Sequence, residues 1–330
     1  MRRYSWLALG LLLTGCVATG VGPASLGGDR TKVAARSASV ASGVKVDRMK
    51  EHLGVLSGHQ ALPGATAIPE RGTREGRALT RGYLASRLSA MGYTVEKHSY
   101  RQHGENLFVR LAAETPTAET ILLGAHMDSV KNAGANDNGT GTTAVLEAAA
   151  VLKGLKGRKV NVIFAWFDEE ELGLVGSKAM ARDFRKQGVK LTSVHTIDMM
   201  GWDSDGDRAV EIERPDGDLW DYYQMVNERH GLNLPLRRTN SGSTDHVAFR
   251  AEGFPSVGMC EEWAGGDTTP HYHKRSDAYE TIDFEFLASS TRLLVATVGD
   301  LAMKVPGPSN VTRMPHHLFP GRDRHFHGEH

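Results

Sequence analysis

Four consecutive acids, Asp168, Glu169, Glu170 and Glu171, follow directly on an apolar run, V-N-V-I-F-A-W-F, from Val160 to Phe167. Carboxylates set that close repel one another unless something positive sits beside them. Hard cations take carboxylate oxygen, so a metal ion is the simplest partner; the alternative is a solvated acidic turn. Other candidate donors are spread along the chain. His126 and Asp128 follow I-L-L-G-A, and Asp137 sits in the glycine-rich loop G-A-N-D-N-G-T-G-T-T. Asp198 closes T-S-V-H-T-I-D, and the polar loop Thr269 to Asp277 carries His271 and His273. Taken singly, each has an ordinary explanation: a surface histidine, a turn aspartate, or a helix cap at Asp137. Taken together, imidazole and carboxylate donors without thiolates suit zinc in a hydrolytic site.

The elements that must position these donors alternate between strand and helix. An amphipathic helix is predicted over Arg74 to Met91, with Leu79, Tyr83, Leu84, Leu88 and Met91 on one face. Strands are expected at Tyr93–Tyr100 and Asn106–Ala112 as an antiparallel pair, then at Thr120–Gly124, Val160–Phe167, Leu191–Ile197 and Ser256–Cys260. Helices are expected at Thr142–Leu152, Lys178–Gln187, Leu219–Arg229 and Phe284–Met303. The pattern predicts an α/β fold: a mixed, mainly parallel central sheet with helices on both faces, in a single domain over residues 45–304. Most candidate donors then fall at the carboxyl ends of strands, where open α/β sheets place their active sites. In extended backbone, residues two apart point the same way, so Asp128 lies beside His126. A carboxylate behind a metal-bound imidazole fixes its tautomer and raises its basicity.

At these residues the sequence resembles the secreted bacterial double-zinc (co-catalytic) aminopeptidases. The matching blocks are H-M-D (126–128), N-D-N-G-T-G (136–141), E-E-L-G-L-V-G-S (170–177), I-D-M-M-G (197–201) and Y-H-K-R-S-D (272–277), in the family's order. S-T-D-H-V-A-F (243–249) is similar to a further family segment. The resemblance implies two zinc ions per chain, one held by His126 and Asp198, the other by Glu171 and His273, with Asp137 bridging. It implies Glu170 as general base, Asp128 as the partner of His126, and a cis peptide at Asp137–Asn138. Asp168 and Glu169 are then local extras, and His271 is the competitor of His273.

The chemistry asks for these residue types. Zinc lowers the pKa of its bound water to about 7, and a pair of zincs about 3.5–4 Å apart holds both that hydroxide and a substrate carbonyl. The expected reaction is metal-dependent hydrolysis of N-terminal residues from peptides by a zinc-bound hydroxide. A nearby unligated carboxylate, Glu170, takes the water's proton and delivers it to the departing amine. Tyr272 is a candidate hydrogen-bond donor to the developing oxyanion, or else a ring packed on the ligand loop. The partners implied are peptides with a free N-terminus. No G-x-S-x-G, no H-E-x-x-H and no phosphate loop with its lysine occurs. Three rival readings stand beside this one: a glutaminyl cyclase-like single-zinc transferase, a co-catalytic carboxypeptidase, and a non-enzymatic binding protein on the same scaffold.

Composition sets the limits. The 330 residues carry 39 Lys plus Arg against 39 Asp plus Glu, which gives no electrostatic reason for a nucleic-acid partner. Only two cysteines, Cys16 and Cys260, are present, so disulfides do not hold the fold; Cys260 reads as a buried, unreactive thiol. Residues 1–16, with Arg2, Arg3, a short apolar core and L-T-G-C, look like a bacterial lipoprotein signal that ends at a lipidated Cys16. Residues 17–44 read as a flexible tether and 305–330 as a disordered histidine-rich tail. The expected location is the bacterial cell envelope, on the outer membrane or facing the periplasm, or secreted, with the membrane reached through the N-terminal lipid only.

Overall fold

The computed structural model describes residues 40–307, apart from 63, 65 and 265. An N-terminal helix pair, α1 (Val46–Leu56) and α2 (Arg74–Ala90), precedes the antiparallel hairpin β1 (Glu96–Arg101) and β2 (Gly104–Leu111). Then follow β3 (Glu119–His126), α3 (Gly141–Leu152), β4 (Asn161–Phe167), α4 (Val175–Lys186) and β5 (Lys190–Ile197). The last third holds β6 (Val210–Glu213), α5 (Leu219–Arg229), β7 (Leu236–Thr239), α6 (His246–Ala251), β8 (Ser256–Glu261) and α7 (Phe284–Ala302). The eight strands form one sheet in the order β1-β2-β4-β3-β5-β8-β6-β7. Its centre, β4-β3-β5-β8, is parallel throughout. This is the single mixed α/β domain expected.

The central strands are apolar on both faces because both faces are covered. On β4, Val162, Phe164 and Trp166 enter one core with α1, α3 and α7, while Ile163, Ala165 and Phe167 enter the other with α4 and α6. The period of two sends alternate residues to opposite sides. Sheet order and register together place the donors. His126 pairs with Phe167, and Ile197 with Met259, so the chain segments leaving β3, β4 and β5 emerge side by side at one edge.

Four elements were not anticipated: α1, the short strands β6 and β7, and α6. The domain also begins earlier than residue 45. Ala41 and Val44 are buried in the core, and the Lys45 N–H donates to Glu147 Oε1 at 2.7 Å, so the end of the expected tether is packed structure. At the other end Val305 is buried and its carbonyl accepts from Tyr222 Oη at 3.0 Å, so the expected tail begins within the fold. Cys16, the rest of the signal and tether, and the histidines of the tail lie outside the described residues. Among the described residues, no helix is long and apolar enough to cross a membrane.

Candidate metal centre

His126 is the last residue of β3, and its Nε2 lies 3.3 Å from Asp198 Oδ1 and 3.4 Å from Asp137 Oδ1. The other oxygen of Asp137 faces the opposite way: His273 Nε2 is 3.2 Å from Asp137 Oδ2 and 3.0 Å from Glu171 Oε2. Five side chains from four loops thus form two donor groups, His126–Asp137–Asp198 and Asp137–Glu171–His273, with Asp137 common to both. Within each group the donor atoms lie within 4.8 Å of one another. His271, the competitor, turns elsewhere: its Nδ1 meets Ser276 Oγ at 3.0 Å and its ring stands edge-on to Trp202.

The loops are held by contacts that fix the donors before any ion arrives. Asp128 faces His126 Nδ1 at 3.4 Å and accepts the N–H groups of Glu170 at 3.0 Å and Glu171 at 3.2 Å. It therefore ties the acidic loop to the histidine. The Asp137–Asn138 peptide is cis. Two buried residues that the sequence reading passed over support that turn. Asp277 accepts the N–H groups of Asn136 at 2.7 Å and Asp137 at 3.1 Å. Arg71, completely buried, donates to the carbonyls of Leu56, Met127, Ala133 and Gly134. Gly134 has φ +56°, and a Cβ there would lie 2.9 Å from the Arg71 guanidinium, so glycine fits where the loop closes on it. Nothing in the R-G-T-R-E-G-R stretch distinguishes Arg71 from its neighbours; the Asp277 signal was its place in the Y-H-K-R-S-D block.

The electrostatics of the cluster call for cations. Burial, with Asp245, Asp198 and Asp128 nearby and only His126 opposing, pushes Glu170 up to about 10. Burial likewise lifts Asp198 to about 7. Hydrogen bonds that His273 donates to Asp137 and Glu171 raise it to about 10. Glu171 Oε1 is buried with no hydrogen-bond partner. A buried carboxylate set this short of positive charge is what a pair of divalent ions would neutralise, and imidazole plus carboxylate is zinc's usual donor set. Glu170 stands at the edge of the cluster, Oε2 4.0 Å from His126 Nε2, with its side chain 13% exposed. Tyr272 stacks on His273 at 3.8 Å between centroids and lines the same cleft as Glu170, with Trp263 edge-on beside it. A second acidic group, Asp203–Asp205–Asp207, is different in kind: its carboxylates accept the loop's own N–H groups at Arg208, Asp207 and Ala209, as in an ordinary turn.

The chain is 28% identical over 228 residues to leucine aminopeptidase 1 of Trichophyton rubrum, covering 62% of this chain and 60% of that protein. It thus spans about six-tenths of the length of the curated relatives it matches. Its fold superposes on the Legionella pneumophila LapA aminopeptidase with a TM-score of 0.71 at 23% identity, covering 81% and 74% of the two chains. A zinc aminopeptidase from Bacillus subtilis, BSAP, matches with a TM-score of 0.54 at 27% identity, over 60% of this chain and 50% of that one. The sequence pattern of the family described as Peptidase family M28 matches residues 106–298, a stretch that runs from β2 to α7 and takes in every one of the five clustered donors. The chain belongs to Peptidase family M28.

Proposed function

We propose that the chain is a two-zinc aminopeptidase that removes residues from the free N-terminus of peptides. The observation that carries this reading is the split of Asp137, one oxygen turned to the His126–Asp198 pair and the other to the Glu171–His273 pair. A carboxylate shared in this way suits two ions better than one. His126 and Asp198 would hold one zinc, Glu171 and His273 the other, and Asp137 would bridge them. When bound, the zinc pair supplies Lewis acidity that polarises a carbonyl and lowers the pKa of water.

The chain's own residues do the rest. Glu170, at the cluster edge and, among the described residues, held by no arginine or lysine, takes a proton from the attacking water and returns it to the departing amine. Asp128 holds His126 in one tautomer and fixes the backbone that presents Glu170 and Glu171. Tyr272, 38% exposed on the same cleft, would donate to the oxygen on which charge develops. The relatives' names as aminopeptidases and the zinc of the B. subtilis protein support the assignment.

Metal analysis of the full chain alongside turnover of free and N-acetylated peptides tests the reading. Two equivalents of zinc with activity on free amines alone is the expected result. One equivalent would favour a glutaminyl cyclase-like transferase, release from the C-terminal end a carboxypeptidase, and indifference of the slow rate to E170Q a binding protein. We further propose that the chain is lipid-anchored through Cys16 to a bacterial envelope, on the strength of L-T-G-C after a short apolar core. C16S should then move the expressed chain from the detergent phase to the aqueous phase.

A further inference from the structure

The cleft onto which Glu170, Glu171 and Asp198 open has a second acidic wall, formed by Glu213 with Ser241 and Thr244. Glu213 is the last residue of β6, and its side chain is only 2% exposed. A carboxylate this buried ordinarily has strong donors. Glu261, one strand away, has three N–H groups, from Gly201, Trp202 and the Asn136 side chain. Glu213 has hydroxyls only: Thr244 Oγ1 approaches Oε2 at 3.4 Å, and Ser241 donates a second bond. The nearest basic group is His246 Nδ1 at 3.8 Å, and burial lowers that imidazole to about 4, so it is neutral at pH 7. Among the described residues, no lysine or arginine pairs with Glu213.

The surroundings add negative charge rather than remove it. Glu211, two residues earlier on the same strand, is buried on the same side. Cys260, which lines the cleft and pairs with Glu211 in the sheet, has its thiol held protonated by burial and by Glu213 and its neighbours. The backbone also leaves room for the carboxylate: opposite it is Gly258, and a Cβ there would lie 2.5 Å from Glu213 Oε2. The zinc pair would answer the acids of the metal centre, but not this wall.

We propose that Glu213 is a specificity-determining residue that receives the ammonium or guanidinium of an N-terminal lysine or arginine, so that the cleft selects basic residues at the position being removed. This rests on the aminopeptidase reading above. A basic side chain forms a charge-assisted bond to Glu213 Oε2, with Ser241 and Thr244 as further acceptors. A leucine side chain in the same place would leave the buried carboxylate with the two hydroxyls as its only partners, which is costly. Sites built around such a polar contact reject analogues that lack it far more strongly than apolar pockets reject a missing methylene. The inference departs from the leucine in the names of the relatives.

The test is the zinc-loaded full chain assayed on lysyl-, arginyl-, leucyl- and norleucyl-p-nitroanilides. Norleucine keeps most of the lysine chain without its ammonium. The expected result is a kcat/KM for lysine at least tenfold above that for norleucine, with E213Q lowering this ratio tenfold or more and E213L inverting it. A wild-type ratio below ten overturns the proposal, as does a ratio that survives E213Q. The wild-type comparison stands even if a variant fails to fold. Turnover with an apolar preference would sink only the Glu213 assignment, whereas no turnover of any free-amine anilide would sink the aminopeptidase reading with it.

Discussion

The acidic run after β4 splits into two halves with opposite fates. Asp168 meets Arg77 at 3.0 Å and Arg81 at 2.9 Å, both from α2. Glu169 meets Arg77 at 3.0 Å and Arg101 at 2.7 Å, and Tyr100 Oη donates to it at 2.9 Å. Despite burial, Arg101 and Tyr100 hold Glu169 below the usual carboxylate range. Among the described residues, neither Glu170 nor Glu171 forms an ion pair with an arginine; they face histidines and other acids. Four like residues in a row are thus a structural clamp followed by a cation-starved site. The difference comes from reach. Arg77 and Arg81, four apart on one helix face, extend to the first two carboxylates, and the chain then turns the next two toward the sheet edge. A protein that had to stabilise all four with its own cations would have no vacancy for a metal.

The comparison predicts a double dissociation. The largest effect belongs to E170Q, which should lower kcat/KM by about 10²–10⁴-fold, the usual worth of a general base, while leaving zinc content and unfolding midpoint near wild type. R77A should do the reverse. It takes one of two arginines from each of Asp168 and Glu169, which keep Arg81 and Arg101; the loss should therefore fall below the about 3–5 kcal/mol of a fully broken buried pair, and denaturant titration should show it while folded protein keeps its turnover. An R77A chain of full stability but low activity would mean that the two halves are not separate.

Zinc itself sharpens the contrast. Saturation at about 100 times Kd should stabilise the fold by about 2.7 kcal/mol, read as a rise in unfolding temperature that a chelator reverses. D137N should abolish most of this shift, because its carboxylate serves both donor groups. D128N should cost less, about 10–100-fold in metal affinity, since Asp128 orients a donor rather than being one. Equal losses in D137N and D128N would remove Asp137 from its central place.

Much of this was readable from the residues. The long central strands are legible because an apolar run at a buried parallel sheet is an unbroken signal. His126, Asp137, Glu171 and Asp198 stand at or just after such runs or in the glycine-rich loop, whereas His273 lies in a polar loop where only the resemblance sets it apart from His271. The short strands β6 and β7 carry the sequences V-E-I-E and L-R-R-T, four residues each with charges at half the positions, so period and hydrophobicity say nothing in so small a window. Asp168 and Glu169 read as extras because the E-E-L-G-L frame selects Glu170 and Glu171, and the arginines that clamp the first two lie 68 to 92 positions upstream. Arg71 reads as solvated loop; only the fold reveals that four carbonyls converge on it. Long-range pairing leaves no local mark, which is why the metal half of the run was legible and the arginine half was not.

The smallest effect concerns a histidine far from this divide, and it extends the same logic to pH. His126 and His273 face carboxylates; the first is raised well above the ordinary value although its burial acts the other way. His195, on β5, faces only hydroxyls, Tyr223 Oη at 2.9 Å and Ser193 Oγ at 3.0 Å, and burial lowers it from 6.5 to about 3. Because the native pKa is the lower one, the unfolded chain binds a proton below pH 6.5 that the native state refuses. Stability is therefore unaffected above pH 6.5 and falls as pH drops from 6.5 toward 3, at about 1.4 kcal/mol per pH unit once well inside that window. His52, pushed to about 4 chiefly by burial, adds to the slope over part of the same range. Denaturant titrations at pH 7 and pH 5 on wild type and H195Q check this. Glutamine keeps a donor and an acceptor but takes up no proton, so the variant should lose less stability between the two pH values. An equal loss in both would mean that His195 carries its proton inside the fold, and that hydroxyl neighbours alone can do for a buried imidazole what carboxylates do at the metal centre.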